Sequence, residues 1–238
     1  MSSPEHPDDS SADTIHRRSV RSFVLRTGRA TAAQQRAMTE LWPLYGVEFT
    51  GQTLEPAQLF GRDAPVMIEI GFGNGEALLE FAKANPQIDC LGIEVHRPGV
   101  GHLLLGVHEA ALHNVRVICH DAVEVLQKFP EHSLSFLHIF FPDPWHKKRH
   151  HKRRLIQPSF IALIAPLLKP DGLLRLATDW EDYAHQMREV LDTSSDFENV
   201  GGTRGFIDRP AMRPLTRFER RGHRLGHGVW DMEYRKKM

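Results

Sequence analysis

The chain has 238 residues, 41% hydrophobic and 25% charged, with 30 Lys and Arg set against 30 Asp and Glu. That length suits one α/β domain with short extensions and a sizeable core. A formal net charge of zero excludes a simple polycation, no apolar stretch is long enough to span a bilayer, and no secretory pattern opens the chain.

Residues 1–15 are rich in Ser, Pro and acids and are expected to be a disordered tail, followed by an N-terminal arm and basic extension over 16–60. From residue 61 onward the pattern predicts a single domain. Strand-like runs at 66–71, 90–95, 115–120, 134–141 and 173–178 alternate with helix-like segments at 76–84, 98–112, 122–129, 157–168 and 180–191. Such alternation implies βαβ crossovers and an α/β fold with a doubly wound, mostly parallel sheet. Runs at 197–200 and 229–234 follow once the alternation stops and are expected to form a closing antiparallel pair. The two cysteines, Cys90 and Cys119, lie in strand-like runs without metal-type spacing. They read as small buried residues of a reducing compartment, which points to the cytoplasm.

In an open α/β sheet the ligand crevice lies beyond the carboxyl ends of the strands. The first strand runs into Glu69-Ile70-Gly71-Phe72-Gly73-Asn74-Gly75-Glu76, whose glycines permit a tight turn and close approach of backbone to ligand. About twenty residues on, the second strand ends at Glu94, where a carboxylate is placed to take both hydroxyls of a ribose. The spacing is Gly-x-Gly-x-Gly rather than the Gly-x-Gly-x-x-Gly of pyrophosphate binders. Glu69, taken to sit inside the turn, and Glu76 would repel a pyrophosphate but suit a ligand carrying an ammonium and a sulfonium, namely S-adenosylmethionine. After the third strand, Asp121 is placed either to accept from an adenine amino group or to cap the next helix.

The fourth strand ends in Phe140-Phe141-Pro142-Asp143-Pro144-Trp145. Two prolines stiffen the backbone on either side of Asp143, and Trp145 offers a flat face for stacking a base. The residues that follow, His146 to Arg154, are phosphate ligands by type. His146 and His150 have helical ligand spacing, but no third ligand lies nearby, so no metal site is expected. Asp179-Trp180 at the end of the fifth strand repeats the pairing of a carboxylate with an aromatic. The stretches 16–31, 146–154 and 204–224 hold 18 of the 30 Lys and Arg and only two acids, Asp208 and Glu219. If they converge, a neutral protein presents a basic face to a polyanion.

With these residues assembled, the chain resembles the bacterial, single-subunit type of tRNA (guanine-N(7))-methyltransferase from Ser19 onward. The resemblance rests on Arg21-Ser22-Phe23-Val24 with Thr27-Gly28-Arg29, on the glycine block, and on Gly92-Ile93-Glu94. It rests above all on Phe141 to His150, Ala177-Thr178-Asp179-Trp180 and Thr216-Arg217-Phe218-Glu219. It implies a seven-stranded, Rossmann-like class I methyltransferase fold that methylates N(7) of the variable-loop guanosine in tRNA, with no obligatory protein partner. It further implies that Glu69, Glu94 and Asp121 contact S-adenosylmethionine, alongside Gly71, Gly73 and Gly75 of the glycine block. Asp143 is then catalytic and also lies against the cofactor. Lys147, Asp179, Thr216, Arg217, Phe218 and Glu219 fall to the substrate, and Arg149, Lys152, Arg153 and Arg154 to RNA. The family block commonly has Lys where this chain has Arg217, a planar and bidentate cation.

Three rivals fit less well. Methyltransferases acting on adenine exocyclic amines carry an acid followed by Pro-Pro and an aromatic, not Pro-Asp-Pro-Trp. An RNA-binding protein on a decayed methyltransferase fold would not need Glu94 and Asp143 intact. A dinucleotide-dependent oxidoreductase is disfavoured by Glu69 and the glycine spacing.

Overall fold

The computed structural model describes residues 22, 23, 29–211, 213–215, 219 and 228–238. Seven strands form one sheet: β1 (Val66–Ile70), β2 (Asp89–Ile93), β3 (Val115–Ile118), β4 (Leu134–Phe140), β5 (Leu168–Thr178), β6 (Phe197–Asn199) and β7 (Trp230–Lys236). Their order is β3-β2-β1-β4-β5-β7-β6, with β1 to β5 parallel and β7 antiparallel to both β5 and β6. The doubly wound α/β expectation holds, and so does the closing antiparallel pair.

Helices cover both faces: α1 (Ala32–Glu40), α2 (Trp42–Tyr45), α3 (Pro56–Phe60), α4 (Glu76–Ala84), α5 (Arg97–Glu109), α6 (Ala122–Leu126), α7 (Pro158–Ile164) and α8 (Glu181–Asp192). Alternate residues of each central strand feed opposite layers, as the two-residue period of a strand requires. Val66, Ile68 and Ile70 pack with α6, α7 and α8, whereas Met67 packs with α1, α4 and α5. Burial on both sides explains why these strands read as near-continuous apolar runs.

The segment before the sheet is built into the same core. Thr31 caps α1 with a reciprocal capping box to Gln34, and Ala37 and Leu41 pack beside Leu103 and Leu104 of α5. Gly101 of α5 lets the α1 backbone approach: a Cβ there would stand 2.6 Å from the Gln34 carbonyl oxygen. Gly46 bridges Val117 at the free edge of β3.

Helices α5 and α6 end three residues short of the sequence expectation, at Glu109 and Leu126, and the junction of α7 with β5 differs most. The apolar run over 157–168 reads as one helix, but α7 stops at Ile164 and Leu168 already belongs to β5, paired with Leu134. The β4–β5 register slips between Leu134 and Phe136, where Lys169, Pro170, Asp171 and Gly172 bulge out before pairing resumes at Leu173.

Candidate active site

Because β1 and β4 are neighbours and their crossovers leave in opposite directions, the crevice of the fold opens at their carboxyl ends. A cavity of about 360 Å³ lies there, within the range of small-ligand sites. Its floor is Ile70, Gly71 and Gly73 after β1; Glu94, Val95 and His96 form the wall after β2. His120 and Ala122 contribute after β3, and Phe141, Pro142 and Asp143 after β4. Ser22 and Phe23 of the N-terminal arm reach the rim.

The glycines divide into two kinds. Gly71 and Gly73 have φ of 68° and 59°, and a Cβ added at either would meet nothing within 4 Å, so their bareness keeps the cavity open. Gly75, expected on the cofactor, lets α4 and α5 approach: a Cβ there would stand 2.6 Å from Leu103 Cδ1. Its bareness serves packing as well as the left-handed turn, with φ of 79°.

Glu69 also departs from expectation. It is a residue of β1, not of the turn, and only 2% exposed; its Oε2 is buried without a hydrogen-bond partner. Burial, reinforced by the negative charge of Glu94, pushes its carboxyl up to about 8. Across the sheet, in register, stand Gly92, Glu69, His138, Arg175 and Glu233. His138 is buried between Phe81 and Phe140, with ring centroids 5.2 Å from each, and its Nε2 likewise has no partner. Burial first, and Arg175 second, push it down to about 3, so the imidazole beside Glu69 is neutral. Sequence reasoning passed over His138, although a histidine in mid-strand in an apolar run was the available signal.

Glu94 is 9% exposed and ties the glycine turn to the end of β2. It accepts hydrogen bonds from the backbone N–H of Gly73 (2.9 Å), Val95 (2.6 Å) and His96 (2.9 Å). Asp121 caps α6, accepting from the Val123 N–H at 2.8 Å. Its neighbour His120 faces the cavity, stacked 4.3 Å from Phe49 and hydrogen-bonded to Glu124 at 2.7 Å.

At the end of β4 the backbone is strained on both sides of the prolines. Phe141 and Trp145 have φ of 52° and 47°, a region costing bulky residues of order 1–3 kcal/mol each. Between them Asp143 is half-buried on the cavity wall. The Phe141 N–H donates to the Ala177 carbonyl of β5 (2.8 Å), which places half-buried Asp179 at the adjoining strand end. Trp145 is not an open platform: the Arg153 guanidinium sits 3.9 Å from the ring centroid, and its indole N–H donates to the Ser22 carbonyl at 3.0 Å.

The basic run forms a 3₁₀ helix over Lys148–Arg153. Lys147, Arg149 and Lys152 are exposed and Arg153 is half-buried. Arg154 is 3% exposed with its guanidinium turned inward, so the expectation of a solvent-facing phosphate ligand fails for it. His146 and His150 are not brought together, since His146 packs on Trp180 and His150 on Trp145. Glu219 is buried, and both its oxygens accept from Arg213, which also grips Asp231. Glu219, expected to fall to the substrate, is thus part of a buried ion-pair cluster with Arg213 and Asp231. Thr216, Arg217 and Phe218 lie outside the described residues, as do the 1–15 tail and residues 16–21 and 24–28 of the first basic stretch.

A mostly parallel sheet in this strand order, with a glycine-floored crevice at the ends of β1 and β4 and Glu94 on its wall, defines a Rossmann-like, S-adenosylmethionine-dependent methyltransferase. Residues 63–232 match a family model described as a putative methyltransferase. The fold is similar to that of the 16S rRNA methyltransferase KamB (TM-score 0.55, 15% identity, 79% of this chain and 96% of that one). It is also similar to an rRNA methylase from Streptococcus thermophilus (TM-score 0.51, 11% identity, 74% and 89%). Curated relatives are far nearer in sequence. The tRNA (guanine-N(7)-)-methyltransferase of Cronobacter sakazakii is 54% identical over 218 residues, 91% of each chain. That of Alcanivorax borkumensis is 52% identical over 221 residues, 92% of each. The chain belongs to the tRNA (guanine-N(7)-)-methyltransferase family.

Proposed function

We propose that this protein transfers the methyl group of S-adenosylmethionine to N(7) of the variable-loop guanosine of tRNA, with Asp143 as the catalytic residue. The observation that carries this reading is the placement of Asp143. It lies on the wall of the cavity, between two left-handed aromatic residues, at the point where the chain emerges into an exposed basic run.

The residues present fit the donor. Glu69 offers a buried, unpartnered carboxyl oxygen for an ammonium, Glu94 lies at the ribose position, and Gly71 and Gly73 leave room for the ligand. When bound, S-adenosylmethionine supplies the methyl group and a neutral thioether leaving group. Guanine N(7) carries an unprotonated lone pair, so the protein need not generate the nucleophile. Its contribution is orientation, for which effective molarities of ~10⁵–10⁸ M are attainable. Asp143 and Asp179, at adjoining strand ends, accept from the N–H groups of guanine and offset the positive charge that grows on the ring. Lys147, Arg149, Lys152 and Arg153 hold phosphates. Among the described residues no helix is long and apolar enough to cross a membrane, and a cytoplasmic site of action goes with a tRNA substrate.

The test is direct: incubate the protein with tRNA and methyl-labelled donor, digest, and identify the labelled nucleoside. The expected product is 7-methylguanosine; label in any other nucleoside overturns the reading.

A further inference from the structure

The segment Pro142-Asp143-Pro144 contains two residues without a backbone N–H, so the Asp143 N–H is the one amide donor it has. Backbone hydrogen bonds that hold it can therefore form only at its carbonyls and at that one N–H. Arg154 makes one of them. Its Nε donates to the Pro144 carbonyl at 2.8 Å, while Nη1 donates to Gln186 Oε1 at 2.5 Å and Nη2 to Asp182 Oδ2 at 2.6 Å. Nη2 also lies 3.1 Å from His151 Nε2. The flat face of the guanidinium lies 4.7 Å from the centre of the Tyr183 ring.

The far side of this clamp is firm. Asp182, Tyr183 and Gln186 all belong to α8, which is held on the sheet by Tyr183, Ala184, Met187 and Leu191, each fully buried. The Tyr183 hydroxyl accepts from the Ile156 N–H at 3.1 Å, and Gln186 Nε2 donates to the Ile156 carbonyl at 3.2 Å, so the chain just past Arg154 is pinned to the same helix. A rigid path thus runs from α8 through one guanidinium to the carbonyl of the residue that follows Asp143.

We propose that Arg154 is a positioning residue for methyl transfer, holding the strained turn so that Asp143 stays against the cavity, and that it takes no part in gripping RNA. This rests on the assignment of Asp143 to the reaction. The neighbouring Arg153 has the opposite surroundings: it is half-exposed and lies over Trp145, where phosphate can reach it. A lysine cannot replace Arg154, because a single ammonium does not reach three acceptors spread in one plane while stacking on a ring.

Arg154→Lys, Arg154→Ala and Asp143→Asn are compared with wild type in four measurements. These are donor affinity without tRNA by calorimetry, kcat and KM for tRNA, the salt slope of tRNA binding, and the melting temperature. Arg154→Lys is expected to lower kcat roughly tenfold or more, as small misplacements of reacting groups do, and to weaken donor binding several-fold. KM for tRNA should stay within about twofold and the salt slope should not change. A purely structural role would lower the melting temperature yet leave donor affinity and kcat per folded molecule intact, and that result overturns the proposal. So does a lysine variant with wild-type kcat, or an alanine variant with a flatter slope and normal kcat at saturating tRNA. If both Arg154 variants fail to fold, Asp182→Ala removes one acceptor of the clamp at the surface; a kcat lowered about two- to fivefold with an unchanged slope supports the clamp, and an unchanged kcat refutes it. Normal turnover by Asp143→Asn would sink the assignment of Asp143 itself, whereas an inactive Asp143→Asn beside a normal Arg154→Lys sinks only the clamp.

Discussion

The proposed placement of the donor ammonium at Glu69 predicts that donor binding is proton-coupled. Without donor its carboxyl is pushed up to about 8 by burial and by Glu94, and the adjoining His138 is neutral and supplies no compensating charge. At pH 7 and below the group is therefore mostly protonated. An ammonium delivered to its unpartnered oxygen favours the carboxylate, so binding must expel the proton. Where the carboxyl is protonated, each pH unit lowered then costs about 1.36 kcal/mol, a tenfold loss of affinity. Between pH 7 and pH 5.5 the loss should approach 30-fold, about 2 kcal/mol. The window stops at pH 7 because α-amino groups such as the donor's titrate at about 7.7–8.0. Isothermal titration of S-adenosylmethionine in two buffers of different ionisation enthalpy reads both the slope and the proton count, expected close to one released. Glu69→Gln, an isostere of the protonated form, should bind with the low-pH affinity of wild type at every pH in the window. A flat wild-type profile with no proton released would refute this account of Glu69. Stability gives an independent check of sign. A carboxyl raised in the folded state contributes stability that is complete below about pH 4.5 and lost as pH rises through about 8. Donor-free Glu69→Gln should accordingly gain in melting temperature over wild type as pH is raised from 5 to 8.

Asp143→Asn should keep the fold and tRNA affinity while kcat falls by roughly 10²–10³, the scale for removing one electrostatic contact to a transition state; rapid-quench turnover at saturating substrates decides it. Gly75→Ala drives a Cβ into Leu103 and should cost about 1–3 kcal/mol of stability with donor affinity per folded molecule unchanged. Gly71→Ala meets no protein atom and shares only the positive-φ cost of about 1–2 kcal/mol, but it should in addition lose donor affinity. Denaturant melts and calorimetry on the pair separate the two roles. Arg149→Ala and Lys152→Ala should each flatten the salt dependence of tRNA binding by about 0.7–0.9 in log–log slope, measured by filter binding, and an unchanged slope would mark the run as a solvated loop.

Much of this was legible in the residues alone, because it depends on local spacing. The α4 boundaries, the order of strands and helices, and the glycine turn between Glu69 and Glu76 all follow from period and turn chemistry, which neighbours in sequence dictate. The motif block ending β4 was also visible in the sequence, since two prolines around an acid can be read without a fold. What stayed hidden depends on residues far apart in the chain. The orphaned oxygen of Glu69 and the neutral His138 beside it exist because β1 and β4 pair in a register set some seventy residues apart. Gly75 reads like Gly71 and Gly73 until α5 arrives with Leu103. Arg153 and Arg154 show the limit most plainly: two identical residues in succession, one over Trp145 at the surface and one locked inside against α8. In a helix of three residues per turn adjacent side chains diverge by about 120°, so they cannot share a face. Which of the two stays near the surface and which is buried is decided by where α8 packs, and that packing is a property of the whole fold.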